Sequence, residues 1–366
     1  MNNIFDFDSA PAFKLTPEIR VGITHGDING IGYEVILKAL QDPEILDVFI
    51  PVLYGSSKIA SYHRKSINAP DFPFNHIRKG NQALANKVNI VNVIDKEVRV
   101  EIGKSTPIGG ELAALALEMA VADLEAGNID VLVTGPINKK NIQSESFSFP
   151  GHTEYLADRF GAKESLMLMV AGNLRIGTVT GHLPLKDVSK NITSEKLISK
   201  LNILYDSLRM DFGIRKPKIA VLSLNPHSGD EGLLGNEEIQ VINPVIEKLN
   251  RQGMMVYGPF SSDGFFGSGN YAHFDAILAM YHDQGLTTFK ILSQGEGVNF
   301  TAGLPIVRTS PAHGTAYEIA GQDKASATSM ISALFMSLQI YRNRLEYKQL
   351  TDNTLKRSEP LPGDGE

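Results

Sequence analysis

Short apolar runs alternate along the chain with longer stretches of helical period, the pattern of an α/β protein built on a mostly parallel sheet. The clearest strand candidates are Arg20–Thr24, Asp130–Thr134, Arg175–Thr180, Lys218–Leu224 and Asp275–Met280. Helix candidates include Gly32–Leu40, Gly110–Ala126, Thr153–Phe160, Ser194–Phe212 and Glu237–Gln252, with a last helix near Ala325–Arg344. The segment ELAALALEMAVADLEAG (111–127) is rich in strong helix formers and closes on a glycine stop. Ser57–Lys87 has weak periodicity and several breakers and reads as a peripheral excursion. No internal repeat and no low-complexity block is visible, and no linker rich in Pro, Gly or Ser divides the chain. A discontinuous arrangement follows, in which the chain leaves one lobe, builds a second and returns.

Size and composition narrow the function classes. A chain of 366 residues suits two α/β lobes rather than one small core. With 42% hydrophobic and 21% charged residues it has the make-up of an ordered globular enzyme. A net charge of −6, with both signs well mixed, argues against a nucleic-acid groove or a polybasic membrane patch. The absence of cysteine excludes disulfides, thiolate nucleophiles and cysteine-based zinc sites, so any metal must be held by His, Asp or Glu. The start, MNNIFDFDSAPAFKL, lacks the basic and apolar segments of a signal peptide. No apolar run approaches the ~20 residues that span a bilayer. The expectation is a soluble cytoplasmic protein with a loose polar tail at Ser358–Glu366.

Five strand candidates end in loops of unusual polar content: THGDINGIG (24–32), TGPINKK (134–140), TGHLP (180–184), NPHSGDEG (225–232) and YHDQG (281–285). In open α/β sheets the ligand crevice lies beyond the carboxyl ends of the strands. Three of these loops deliver a histidine close to the strand end: His182, His227 and His282. Taken alone, each is better explained as a hydrogen-bonded loop residue. Together they form a candidate three-imidazole site for zinc or a similar divalent ion, with one position open for chemistry.

No G-x-G-x-x-G follows a strand and no G-K-[ST] occurs, so the Rossmann fingerprint and the phosphate loop of nucleotide hydrolases are absent. The turn Gly26-Asp27-Ile28-Asn29-Gly30-Ile31-Gly32 opens a helix and is read either as a phosphate-holding N-terminus or as a plain tight turn. His152 and Thr153 stand at a helix start, where Thr153 would serve as an ordinary N-cap. Lys290, Asn299 and Arg308 follow the YHDQG loop and are either solvated side chains or a clamp for an anion. His313 lies in the loop AHGTA ahead of the last helix; His25, His63, His76 and His273 default to structural roles.

In chain order, GDINGIGYE, TGPINK, GHTEYLA, GHLPL, NPHSGDEG, YHDQGL and GLPIVRTSPAHGTAYEIAG resemble the 4-hydroxythreonine-4-phosphate dehydrogenase (PdxA) family of pyridoxine synthesis. The resemblance runs from about Arg20 to Leu338. It implies the two-lobed α/β fold of the isocitrate and isopropylmalate dehydrogenases, with an active-site cleft between the lobes. GDINGIGYEV and HGTAYEIAGQDKA are also similar to segments of those relatives, which accounts for a dehydrogenase without a Rossmann fingerprint. The expected division is 1–140 with 290–350 on the cofactor side, 141–289 carrying metal and dimer contacts, and a flexible tail at 351–366.

Carried over position by position, the resemblance implies metal ligands at His182, His227 and His282, and substrate contacts at His152, Thr153, Lys290, Asn299 and Arg308. It implies NAD or NADP bound near Gly30, Gly32, His313 and Gly314, with zinc, magnesium, cobalt or manganese as the ion. It further implies a homodimer with a shared active site, with His282 supplied to the neighbouring copy, and oxidative decarboxylation of 4-phosphooxy-L-threonine to 3-amino-2-oxopropyl phosphate. The proton acceptor is expected at Asp263.

The chain departs from the family pattern in four places. GDINGIG stands for GDPAGIG, Ser261-Ser262-Asp263-Gly264 for P-A-D-T, RTSPAHGTA lacks an acid before His313, and His25 is unexpected. These departures keep open a paralogous dehydrogenase acting on 4-phospho-erythronate or 4-phospho-threonate. A phosphate acyltransferase-like enzyme, which needs neither metal nor NAD, is disfavoured by the three histidines.

Overall fold

The protein is described as a computed structural model covering residues 18–67, 69–70, 73–144 and 147–352. Two compact units divide the chain. The first takes it up to Ser148 and again at His313–Ile331; the second takes Phe149–Ala312 and the chain from Ser332 onward.

In the first unit, β1 (Arg20–Thr24), α1 (Gly32–Ala39), α2 (Pro43–Leu46), β2 (Ile50–Gly55), α3 (Ser57–Ser66), β3 (Phe74–Ile77), β4 (Val88–Asn92), α4 (Pro107–Glu125) and β5 (Val131–Thr134) follow in order. Its sheet runs β3-β4-β2-β1-β5, and every pairing is parallel. β2 and β5 are buried at every position, the continuous apolar run of strands covered on both faces. α4 begins three residues before the expected Gly110, because Thr106 caps it by accepting from Gly109 N–H and Pro107 fills the first helical position. The expected excursion at 57–87 is in part regular structure: α3 buries Ile59, Ala60 and His63, and β3 is the edge strand.

The second unit holds α5 (His152–Arg159), β6 (Leu166–Ala171), β7 (Leu174–Thr178), α6 (Ser194–Met210), β8 (Lys218–Leu222), α7 (Asn243–Arg251), β9 (Met255–Phe260), α8 (Ser262–Gly267), β10 (Ala276–Ala279), α9 (His282–Ser293), β11 (Val298–Ala302), β12 (Arg308–Pro311) and most of α10 (Thr328–Asp352). Its strand order is β12-β11-β6-β7-β10-β8-β9. The pairs β12–β11, β11–β6 and β6–β7 are antiparallel and the other three are parallel, so seven of the ten described pairings are parallel and the antiparallel ones are confined to the second unit. The reversal at β6–β7 comes from a two-residue Gly172-Asn173 hairpin turn, with Gly172 at φ +54°. β11 and β12 pair within this sheet, and the chain returns to the first unit at His313, where the expected division had set the return at 290.

Phe265, Leu286 and Phe289 pack with Ile176, Leu222 and Ile277 in the core of this unit, beneath the parallel strands. The expected helix over 237–252 is split into a π-turn at Glu238–Ile242 and α7. Thr351 and Asp352 close α10; the rest of the expected tail and the N-terminal MNNIFDFDSAPAFKL lie outside the described residues. Among the described residues no helix is long and apolar enough to cross a membrane.

Candidate functional site

β7, β10 and β8 are adjacent and parallel, so the loops after them leave the same edge of the second unit's sheet. Hydrogen bonds tie these loops together. The Thr180 N–H and hydroxyl both donate to Met280 O, at 3.1 and 2.8 Å. Gln284 accepts from Met280 N–H at 2.7 Å and donates to Ser223 O at 2.7 Å, which gives the glutamine of YHDQG a bracing role.

His182 and His282 stand side by side, with ring centroids 5.1 Å apart. Two imidazoles on one tetrahedral ion, at metal–nitrogen distances of about 2.0–2.1 Å, place their centroids roughly 5 Å apart. The pair therefore fits two ligands of one divalent ion. Nδ1 of His282 lies 2.7 Å from a carboxylate oxygen of Asp283, an arrangement that puts the proton on Nδ1 and leaves the Nε2 lone pair for an ion.

His227 does not join this pair: among the described residues no three His, Asp or Glu side chains are grouped to hold a metal. The odd member within the chain is thus His227, whereas the expectation had set His282 apart. The backbone that carries His227 is unusual. His227, Ser228, Gly229, Asp230 and Glu231 all lie in the left-handed region, with φ between 45 and 82°. A left-handed helical turn costs an L-residue roughly 1–2 kcal/mol per position and persists only where its surroundings over-determine it. Ser228 Oγ donates to Pro259 O at 3.2 Å, which brings this turn toward the end of β9. There Asp263 accepts from Ser261 Oγ at 2.8 Å. The Ser261 hydroxyl, the Gly264 N–H and the nearby His227 hold the Asp263 carboxyl below its ordinary range.

Two of the substrate candidates, Asn299 and Arg308, lie on the antiparallel pair β11–β12, and His152 joins them through Arg308. Arg308 is buried and donates to Thr301 Oγ1 at 3.2 Å and to His152 Nδ1 at 3.1 Å. Burial pushes its guanidinium down to about 10, which keeps it a cation at neutral pH. Since His152 Nδ1 accepts, the imidazole carries its proton on Nε2. Asn299 pairs with Ser310 in the ladder, and its buried Oδ1 has no hydrogen-bond partner. Lys290 is exposed on α9. Thr153 is not the cap of α5: Gly151 holds that position and Thr153 is the second helical residue.

In the first unit the β1–α1 turn and the segment after His313 are joined. Ile31 N–H donates to Thr315 O at 3.0 Å, and a Cβ at Gly30 would lie 2.7 Å from that same oxygen. A Cβ at Gly32 would lie 2.0 Å from His25 O. Both glycines therefore have packing reasons. Three N–H groups of this turn are engaged within the protein: Asp27 N–H goes to Pro136 O, Asn29 N–H to Asp27 Oδ1 and Gly30 N–H to Asp27 O. The asparagine that replaces the family's alanine is turned inward: Asn29 Nδ2 donates to Thr106 Oγ1 and Oδ1 accepts from Glu101 N–H. Beside it the buried Asp27 accepts from Asn141 Nδ2 and Tyr317 OH, both at 2.7 Å. His313 donates from Nδ1 to Gly314 O at 3.0 Å, and its buried Nε2 has no partner. Burial lowers its pKa, so it is the neutral form that presents this lone pair.

Sequence reasoning missed Asp27 and Tyr317 as supports in the first unit, and Thr301 and Gln284 as supports in the second. Asp27, Tyr317 and Gln284 lay inside quoted motifs, but nothing in a one-dimensional pattern separates a buried brace from a ligand.

Comparison with known proteins then places the chain. Residues 47–337 match the family described as Pyridoxal phosphate biosynthetic protein PdxA. A 4-hydroxythreonine-4-phosphate dehydrogenase of Bacteroides thetaiotaomicron is 50% identical over 341 residues, 93% of each chain. A protein of Oceanobacillus iheyensis called putative D-threonate 4-phosphate dehydrogenase is 34% identical over 87% of this chain and 97% of its own. The crystal structure of 4-hydroxythreonine-4-phosphate dehydrogenase from Klebsiella pneumoniae aligns with a TM-score of 0.76 at 29% identity, covering 88% of this chain and 99% of that one. The chain is an α/β oxidoreductase of the dehydrogenase class. It belongs to the PdxA family of pyridoxal phosphate biosynthesis.

Proposed function

We propose that the chain oxidises 4-phosphooxy-L-threonine at its C3 hydroxyl, with NAD or NADP as hydride acceptor. The β-keto acid so formed loses carbon dioxide to give 3-amino-2-oxopropyl phosphate. The observation that carries this reading is the His182–His282 pair at the ends of adjacent parallel strands, in a chain of this family. A donor set of neutral imidazoles suits zinc or cobalt better than magnesium. Once bound, such an ion supplies Lewis acidity at the substrate's reacting oxygen.

The chain's own groups bind and orient. Arg308, a buried cation, faces the anionic part of the substrate, where the N-terminal dipole of α5 also favours negative charge. The His152 Nε2–H is a donor for a substrate oxygen. Asn299 Oδ1, buried without a partner, suits the substrate's ammonium group. Lys290 adds a second, exposed cation. The lowered pKa of the Asp263 carboxyl makes it a weaker base than an ordinary aspartate, and we assign it the task of orienting the nearby His227 in place of accepting the proton. On the cofactor side, the neutral His313 offers its free Nε2 lone pair, and Gly30 and Gly32 keep the floor of that segment close to Thr315.

We read the metal site as shared by two copies of the chain, with His227 as the neighbour's contribution. Two observations support this: one chain groups only two of the three histidines, and Leu185, Leu233, Leu234 and Ile239 are exposed around the loops of His182 and His227. The relative called putative D-threonate 4-phosphate dehydrogenase keeps a second substrate reading in play. NADH absorbance with 4-phosphooxy-threonine, 4-phospho-threonate and 4-phospho-erythronate, with and without a chelator, separates the readings. Turnover of the amino substrate, lost on chelation and restored by zinc or cobalt, is the expected result. Preference for a phospho-threonate moves the assignment to the paralogous enzyme, and indifference to the chelator removes the metal role.

A further inference from the structure

The turn that carries His227 is held by a carboxylate to which the proposed reaction gives no work. Glu238, the first residue of the π-turn ahead of α7, is 1% exposed. Its Oε1 accepts from the backbone N–H groups of Leu224 and Asn225, both at 2.8 Å, and its Oε2 accepts from Asn225 Nδ2 at 2.9 Å. Asn225 Nδ2 also donates to Glu237 Oε2 at 2.8 Å, and Glu237 accepts from the Ser189 hydroxyl, in the segment after His182. Among the described residues no Lys, Arg or His side chain forms an ion pair with Glu238.

A buried carboxylate without a cation is costly unless N–H groups claim its lone pairs, and here they do. The surrounding glycines admit it. A Cβ at Gly229 would lie 2.8 Å from Glu238 Oε2, and one at Gly235 would lie 2.3 Å from Asn225 Nδ2. Leu224 and Asn225 are the last residues before Pro226 and His227. Fixing their N–H groups and the Asn225 side chain fixes the direction in which the left-handed run departs, and with it the place of the imidazole.

We infer that Glu238 is a positioning residue for His227, holding through Asn225 the turn that presents this ligand. The inference rests on the reading of His227 as a metal ligand. A carboxylate of purely structural value would change stability and leave the folded protein's affinity for metal alone; a positioning one changes that affinity.

The test uses the full-length protein, stripped by chelator and titrated with Co²⁺, with binding followed by visible absorption and calorimetry. Wild type, Glu238→Gln, Glu238→Ala and His227→Ala are compared, with thermal unfolding and amide exchange recorded on each. Glu238→Ala is expected to weaken Co²⁺ binding roughly ten- to a hundredfold and to speed exchange in the 224–235 segment. Glu238→Gln keeps an oxygen for the two backbone donors but sets an amide N–H against Asn225 Nδ2, so it is expected to lose less. Wild-type affinity in both folded Glu238 variants, with affinity lost in His227→Ala, overturns the positioning role and leaves the ligand reading standing. Wild-type affinity in His227→Ala overturns the ligand reading and this inference with it. If the alanine variant does not fold, the glutamine variant decides: affinity equal to wild type overturns the inference.

Discussion

His25 directly follows β1, its ring stacked on Tyr33 with centroids 5.0 Å apart, and Tyr33 stacks in turn on His63 at 5.2 Å. The default structural role given to both histidines is thus an aromatic column. His63 Nε2 meets Ile28 O at 2.7 Å. Complete burial pushes the pKa of His25 from 6.5 down to about 4. As pH falls below 6.5, the unfolded chain takes up a proton here that the folded protein refuses until about pH 4. Stability should therefore fall across that window by on the order of 3 kcal/mol. Urea unfolding at pH 7.5, 5.5 and 4.5 should show a steeper loss in the wild type than in His25→Met; parallel curves would contradict it. Arg308 acts through geometry as well as charge, since its fork spans Thr301 and His152. Arg308→Lys keeps the cation and loses the fork, so KM for the phosphorylated substrate should rise about tenfold or more. An unchanged KM would remove Arg308 from the substrate site.

Elements whose fate is decided by period were legible in the sequence. β1, α1, α4, α6 and β10 lie within a few residues of their expected spans. β11 and β12 were not legible, because RTSP carries Arg, Thr, Ser and Pro, all of them buried by packing that no local pattern encodes. The loops that bear the candidate ligands were found from their position at strand ends. Which histidines pair was not, and neither was the left-handed run at 227–231 that carries the third. The same contrast can be tested inside helices, where glycine normally weakens the element. Gly110 is in the first turn of α4, yet a Cβ there would lie 2.0 Å from Asn141 O, a backbone atom that cannot easily yield. Gly110→Ala should therefore lower stability by about 1–3 kcal/mol despite alanine's higher helix propensity. Gly267, in α8, has no atom within 4 Å of its built Cβ. Gly267→Ala should be neutral or mildly stabilising by thermal unfolding, and equal effects at the two sites would show that packing does not set the sign.

On the scale of the whole molecule, the proposed sharing of the metal site makes a prediction that no single-copy site makes. In that reading each site of a homodimer takes His182 and His282 from one copy and His227 from the other. A dimer of His227→Ala copies lacks the third ligand at both sites, and a dimer of His182→Ala copies lacks one of the paired ligands at both. Either preparation alone should be inactive. Unfolded together and refolded, the two variants reassociate at random, and about half of the dimers should be mixed. A mixed dimer joins His182 and His282 of one copy to the intact His227 of the other at one site, and combines both lesions at the second. Activity should return to about a quarter of the wild-type value. Leu233 is 80% exposed beside the His227 turn. If it lies at the contact between copies, adding Leu233→Asp to both variants should shift the protein to monomers in sedimentation and abolish the recovery. Were all three histidines to serve one ion within one chain, every refolded copy would carry its own lesion and mixing would restore nothing.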